Sequence, residues 1–254
     1  MTTLLIDLGN TALKWTTRED PDNPHTIVHQ GSTHFKEELY KLWLEMHPDR
    51  VIGCTVAAPV VAFSLTKFFN DHGISWLWAR PQNAFHGRCE LRSSYKGLGA
   101  DRWFAAIGAV HAMPEEKALL VCHLGTATTV DAVVRDSAGI YQFRGGRISP
   151  GPSLMQSCLT HGQLALPGAL GPYSVFPNCT SEAITTGIVD AQVGLILRAR
   201  ATLREAGISP KIIIAGGAAQ FIEPHLRKEV PDLVLRHNLV LLGLAELANN
   251  GGKQ

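Results

Sequence analysis

Leu4-Leu5-Ile6-Asp7-Leu8-Gly9-Asn10-Thr11-Ala12-Leu13-Lys14 is the segment that reveals the architecture. An apolar strand-like run reaches an acid, turns through glycine into small amide and hydroxyl residues, and re-enters a second strand at Leu13–Thr17. Glycine lets the backbone approach an anion and aim N–H groups at it. The Asn amide and Thr hydroxyl add donors, and a nearby carboxylate suits hydrated Mg²⁺. The construction recurs where Ala118-Leu119-Leu120-Val121 leads into Leu124-Gly125-Thr126-Ala127-Thr128-Thr129-Val130-Asp131. Two such hairpins, facing one another, would grip a polyphosphate from both sides, which points to a nucleotide-using enzyme.

From the first hairpin onward the pattern predicts a third strand at Thr26–Gln30. A helix over Lys36–His47 carries its apolar stripe on Leu39, Leu42, Trp43 and Met46 and stops at Pro48. Strand Val51–Val56, helix Val60–Asn70 and strand Ser75–Trp78 follow. Arg80–Gly97 lacks periodicity and reads as an irregular excursion before a helix from about Asp101 to Met113. From Ala118 the scheme restarts: strand, glycine turn, strand Thr128–Arg135, and a third strand through Phe143. Helices are expected at Leu154–Thr160 and Ser181–Ala206, then strand Lys211–Ala215, a Gly216-Gly217 turn, a short helix, a strand near Leu233–Leu235 and a closing helix. A three-strand start repeated after about 115 residues implies an α/β protein of two similarly built lobes, residues 1–115 and 116–254.

Composition narrows the function. Of 254 residues, 45% are hydrophobic and only 18% charged, so much of the chain lies in a core or an interface. A net charge of +1 gives no bulk attraction to nucleic acid or an anionic membrane. Five scattered cysteines without a C-x-x-C pair suit a reducing compartment. Asp7 breaks the first apolar stretch too early for a signal peptide, and no run is long enough to span a bilayer. The expectation is a cytoplasmic protein whose partners are small molecules or further copies of itself.

Three constellations carry chemistry. In the first hairpin an acid at the end of an apolar strand costs free energy unless it is paired or holds a cation, so Asp7 is assigned to hydrated Mg²⁺ and Asn10, Thr11 and Lys14 to phosphate oxygens. In Gly97-Leu98-Gly99-Ala100-Asp101-Arg102-Trp103, Asp101 suits an N-cap or first-turn position. With Arg102 beside it, the pair suits deprotonation of a hydroxyl on an anionic substrate. In the second hairpin Thr126, on the turn itself, is the phosphate donor, whereas Thr128 and Thr129 read as strand residues. Gly145-Gly146-Arg147-Ile148-Ser149-Pro150-Gly151 reads as a turn-dense loop, and Thr180 as the N-cap of the helix after it.

Asp-x-Gly-Asn-Thr, Gly-x-Asp-Arg, Gly-Thr-Ala-x-Thr-x-Asp, Gly-Gly-x-Ile-x-Pro-Gly and Thr-x-x-Ala-Ile, in this order across the whole chain, resemble the type III pantothenate kinases. The resemblance implies an actin-like ATPase fold of two ribonuclease H-like lobes, each a mixed sheet with flanking helices. It also implies a cytoplasmic homodimer and ATP-dependent phosphorylation of pantothenate to 4′-phosphopantothenate, the first step towards coenzyme A. Carried onto this chain, it places Asp7, Leu8, Gly9, Asn10, Thr11, Ala12, Leu13, Lys14 and Thr126 against Mg-ATP. Asp101 becomes the general base, and Tyr95, Gly99, Ala100, Asp101, Arg102 and Thr180 line the pantothenate site.

Two departures stand out. The family's Asp two residues before the Gly-Thr-Ala turn, a ligand of the required K⁺ or NH₄⁺, is replaced by His123. Neutral imidazole is a poor K⁺ ligand, so either the cation dependence is altered or another group supplies the oxygen. The family's Tyr-x-x-Pro stretch is shortened to Ser94-Tyr95-Lys96-Gly97, leaving Tyr95 either a substrate contact or a plain loop aromatic. Two alternatives stay open: a nucleotide-binding regulator of gene expression with little or no turnover, and a kinase or phosphatase of the same fold acting on another substrate.

Overall fold

The computed structural model describes residues 2–35, 37–160 and 170–251, and the helix start expected at Lys36 lies outside them. In chain order the elements are β1 (Thr3–Leu8), β2 (Ala12–Thr17), β3 (His25–Val28), α1 (Glu37–Glu45), β4 (Arg50–Thr55), α2 (Pro59–Asp71), β5 (Ser75–Trp78), β6 (Ala84–His86), β7 (Glu90–Ser93) and α3 (Ala100–Ala112). There follow β8 (Ala118–Leu124), β9 (Ala127–Arg135), β10 (Tyr141–Pro150), α4 (Pro152–Thr160), α5 (Thr180–Glu205), β11 (Lys211–Ala215), α6 (Ala219–Glu229), β12 (Val234–Leu235) and α7 (Leu239–Asn249). Among the described residues no helix is long and apolar enough to cross a membrane.

Two compact units result. One holds Met1–Glu115, Arg135–Phe143 and Asn238–Gln254; the other holds Glu116–Val134 and Arg144–His237. They differ from residues 1–115 and 116–254 in two places: the start of β10 and the closing helix α7 both group with the first unit.

The first unit is built on a five-stranded sheet of order β3-β2-β1-β4-β5. β1 pairs antiparallel with β2 and parallel with β4, so its carboxyl end opens into the glycine turn on one side and stands beside the end of β4 on the other. Leu4, Ile6, Leu8, Leu13 and Trp15 pack with Leu39 and Trp43 of α1 and Val61, Leu65 and Phe69 of α2. Leu42, placed in the apolar stripe by spacing, is instead exposed.

In the second unit the order is β12-β11-β8-β9-β10, and β8 again pairs antiparallel with its successor and parallel with the strand beyond, β11. The β1-β2-β4 arrangement is therefore repeated as β8-β9-β11. Its core joins Leu120, Cys122, Leu124, Ile212 and Ile214 to Val189 and Ile196 of α5 and Ile222 and Leu226 of α6.

Two segments differ from expectation. Ala84–His86 and Glu90–Ser93, within the excursion expected to be irregular, form a hairpin, and β7 pairs in parallel with the start of β10, Leu91 opposite Tyr141. β10 also runs on through Gly145 and Gly146 to Pro150, where a loop was expected.

α3, which carries Asp101 in its first turn, is held by α7. A Cβ on Gly108 would be driven into the Leu239 carbonyl, and one on Gly243 into the Phe104 carbonyl, so the two backbones approach as closely as glycine alone permits. Gly243→Ala is expected to destabilise the fold by about 1–3 kcal/mol through overpacking. Gly194→Ala in α5, where a new Cβ meets nothing within 4 Å, is expected to stabilise by about 0.5–1 kcal/mol. Urea midpoints of the two variants, moving in opposite directions at unchanged slope, check the crossing.

Candidate active site

In the first unit the site is assembled at the ends of β1 and β4 and the start of α3. Asp7, one residue from the end of β1, lies opposite Lys14 across the hairpin and opposite Cys54 on β4. Gly9 N–H closes the turn on the Ala12 carbonyl at 3.0 Å. Asn10 is exposed, while Thr11 and Lys14 are half-buried. Burial lifts the Asp7 carboxyl from 3.8 to about 6; the Lys14 ammonium pulls it down, and the Asp101 charge pushes it up. Asp7 and Asp101 thus share one local field.

Asp101 sits in the first turn of α3, and Gly99, in extended conformation, is the N-cap. A Cβ on Gly99 would stand 2.6 Å from Asp101 Oδ1, so the glycine makes room for the carboxylate. Gly97, with φ +70°, needs glycine for its backbone conformation. Asp101 Oδ1 accepts the Arg102 N–H at 2.8 Å. Its carboxyl is nevertheless held above the usual range because burial outweighs that N–H and the Arg102 charge. The Cys54 thiol is pushed up by burial first and then by the Asp7 and Asp101 charges, a third sign that these groups converge.

Arg102 is only 6% exposed, with its guanidinium carbon 5.3 Å from the Tyr95 ring centroid and 5.7 Å from that of Phe143. The two rings meet edge-on at 5.9 Å, and Tyr95 remains 44% exposed. Arg102 is therefore fixed against two aromatic faces rather than extended into solvent. Spacing gave no hint of Phe143, which arrives from 41 positions beyond Arg102.

In the second unit Gly125 N–H donates to the Ala127 carbonyl at 3.0 Å, a turn one residue tighter than the first. Thr126 is exposed on it, and its carbonyl accepts Gly151 N–H at 2.9 Å. Ala218 N–H donates to the Leu124 carbonyl at 3.0 Å, and Gly216, at φ +100°, packs on the same strand end. The Gly216-Gly217 turn is thus a wall of this hairpin, a part that the motifs did not reveal. Thr128 is buried and donates to Gln192 Oε1 at 2.5 Å, in keeping with its reading as a strand residue. His123 is half-buried on β8, its Cε1 3.3 Å from where a Cβ on Gly125 would stand. Thr180 is exposed at the first position of α5, but Cys179 is the N-cap, so the N-cap reading of Thr180 is corrected.

The donor set fits Mg²⁺. Among the described residues no three His, Cys, Asp or Glu side chains cluster as an all-protein metal site. Asp7, half-buried at the glycine turn, is the carboxylate that could hold a metal which keeps several of its waters.

A family profile described as type III pantothenate kinase matches residues 3–201. The chain belongs to the type III pantothenate kinases. A type III pantothenate kinase of Polaromonas sp. is 34% identical over 263 residues, covering 98% of both chains, and that of Dechloromonas aromatica is 34% identical over 96% of this chain and 97% of its own. Among solved structures, a protein of Campylobacter jejuni named in the Baf family of transcriptional activators has a TM-score of 0.59 at 19% identity, covering 98% of this chain and all of its own. The activator of the 2-hydroxyisocaproyl-CoA dehydratase of Clostridium difficile, with ADPNP bound, has a TM-score of 0.51 at 12% identity, covering 100% of this chain and 98% of its own. These likenesses show the fold: this pantothenate kinase has an actin-like α/β fold with two mixed sheets, as the resemblance implied.

Proposed function

We propose that this chain transfers the γ-phosphoryl group of ATP to the primary hydroxyl of pantothenate, giving 4′-phosphopantothenate and ADP, the first step towards coenzyme A. The observation that carries the reading is the convergence of Asp7 and Asp101 beside a glycine turn, with Arg102 anchored next to them. Asp101, made more basic by burial, takes the hydroxyl proton as the oxygen attacks phosphorus. Arg102 and the backbone at Gly99 and Ala100 orient the pantothenate carboxylate and amide, with Tyr95 at the rim. Asn10, Thr11 and Lys14 from one hairpin and Thr126 from the other take phosphate oxygens. Asp7 would hold Mg²⁺ through water, and the bound metal would supply charge neutralisation on the phosphates.

Next to the Thr126 turn a cavity of about 270 Å³ is lined by Ile188, Gly217, Ala218 and Phe221 with Ser153 and Gln156 as polar groups, a mixed lining that suits the adenine ring. Thr180 lies on a different, apolar groove with Met155, Cys158, Ile184 and Ile188, and Val175 and Phe176 are exposed 72% and 87%. Such a surface supports a homodimer in which a second copy covers Thr180.

The test is ADP release coupled to pantothenate, with phosphopantothenate identified by mass. Turnover that requires pantothenate and Mg-ATP is expected; ATP binding without consumption would instead favour a regulator. Run in K⁺, NH₄⁺ and Na⁺, equal rates assign His123 a cation-free role, whereas a K⁺-dependent rate places oxygen ligands elsewhere. In the same assay Gly217→Leu, whose side chain enters the open space beside Gly217, is expected to raise the KM for ATP about tenfold.

A further inference from the structure

The first hairpin has a support that no motif announced. His29, one residue beyond β3, is 6% exposed, and both of its ring nitrogens are engaged. Nε2 lies 2.9 Å from the Gly9 carbonyl oxygen, and Nδ1 accepts Gly31 N–H at 3.0 Å. A nitrogen that accepts an N–H carries no proton, so the network assigns the neutral Nε2–H tautomer, which donates to Gly9. The backbone around it is bent to this end. Gln30, at φ 50°, and Gly31, at φ 82°, are both left-handed, an uncommon state for glutamine. His29 N–H and Gln30 N–H both donate to the Thr11 carbonyl, at 2.9 and 3.0 Å, and the imidazole rests against Phe35 with ring centroids 5.6 Å apart.

In a trans peptide the C=O of one residue and the N–H of the next point in opposite directions. We propose that His29 is a positioning residue of the phosphate hairpin: by drawing the Gly9 carbonyl inward it turns the Asn10 N–H outward, towards the anion. Without it the Gly9 oxygen is free to rotate to the ligand side, where it repels phosphate and removes a donor. The same side chain, through Gly31, holds the turn that clamps the Thr11 carbonyl, so the two peptides flanking Asn10 and Thr11 are held from behind. The proposal rests on the reading of this hairpin as the ATP phosphate loop.

Two substitutions separate the two bonds. His29→Gln keeps an amide N–H near the Nε2 position and so keeps the donor to Gly9. His29→Asn keeps an oxygen near the Nδ1 position for Gly31 and loses the donor to Gly9. Equilibrium binding of Mg-ATP by calorimetry is expected to stay within about threefold of wild type for His29→Gln and to weaken about tenfold or more for His29→Asn, the effect of one lost hydrogen bond to a charged ligand. The KM for ATP should follow while kcat changes less. In ¹⁵N-labelled wild-type protein the His29 ring should give the Nε2–H tautomer signature.

An Nδ1–H signature, or equal ATP affinity for wild type and His29→Asn, overturns the proposal. Because binding and tautomer are read without turnover, a wild-type protein that binds ATP but does not phosphorylate pantothenate counts against the function alone. One that binds no ATP sinks both.

Discussion

Asp101→Asn is expected to lower kcat for pantothenate phosphorylation by about 10²–10⁴-fold while leaving ATP affinity and the thermal midpoint close to wild type. The size follows from the role. A half-buried carboxylate whose pKa burial raises is a stronger base than one in water, and the Arg102 N–H and the Arg102 charge oppose that rise without cancelling it. The amide keeps the shape and can still accept Arg102 N–H, so the helix start is preserved, but it cannot take a proton. The pH profile is a second readout. In wild type kcat/KM should fall on the acid side with an apparent pKa above the usual carboxylate value, and that limb should disappear in the variant. A variant retaining more than about a tenth of wild-type kcat would remove Asp101 from the chemistry and leave it a first-turn acid of α3.

How far the sequence reached depends on how local each determinant is. The β1–β2 hairpin was readable because an apolar run, an acid and a glycine stand within eleven consecutive residues. β8–β9 and the β11 strand were readable for the same reason. The β6–β7 hairpin was not, since its strands are three and four residues long and owe their pairing to Tyr141–Phe143, about fifty positions away. The run through Gly145 and Gly146 misled in the opposite sense: glycine favours a turn locally, but a strand already paired at its first residues carries the next ones along. Among the candidate residues, Asp7, Asp101 and Lys14 were visible as types in a pattern. The shared field of the two acids, the aromatic faces that fix Arg102, and His29 behind Gly9 depend on contacts between distant segments, for which one sequence carries no periodic signal.

Asp7→Asn is expected to do two opposite things: to lower kcat/KM for ATP by at least about 10²-fold, and to make the ligand-free protein more stable at pH 8. The second effect follows from linkage. Asp7 titrates at about 6 in the folded chain against 3.8 unfolded, so across that interval the folded state binds the proton more tightly. Its contribution to stability is therefore most favourable below pH 4, declines as pH rises through 6, and stays low above it. A two-unit shift corresponds to about 3 kcal/mol, reduced to about 2 because the carboxylate is only half-buried.

Asparagine carries no charge to desolvate, so the difference in unfolding free energy between variant and wild type should be near zero at pH 4 and about 2 kcal/mol in the variant's favour at pH 8. Comparing the two proteins at each pH cancels the titrating groups that lie outside the field Asp7 shares with Asp101 and Cys54. Mg-ATP should reverse the order at pH 8, since a cation beside Asp7 favours its charged form and the amide offers no charge to hold one. A stability difference that stays constant from pH 4 to pH 8, or a variant stabilised by Mg-ATP as much as wild type, would show that the Asp7 carboxylate is neither strained by its burial nor relieved by the metal. The acid at the end of β1 is thus expected to weaken the empty protein and strengthen the loaded one, as a binding group kept in an apolar strand must.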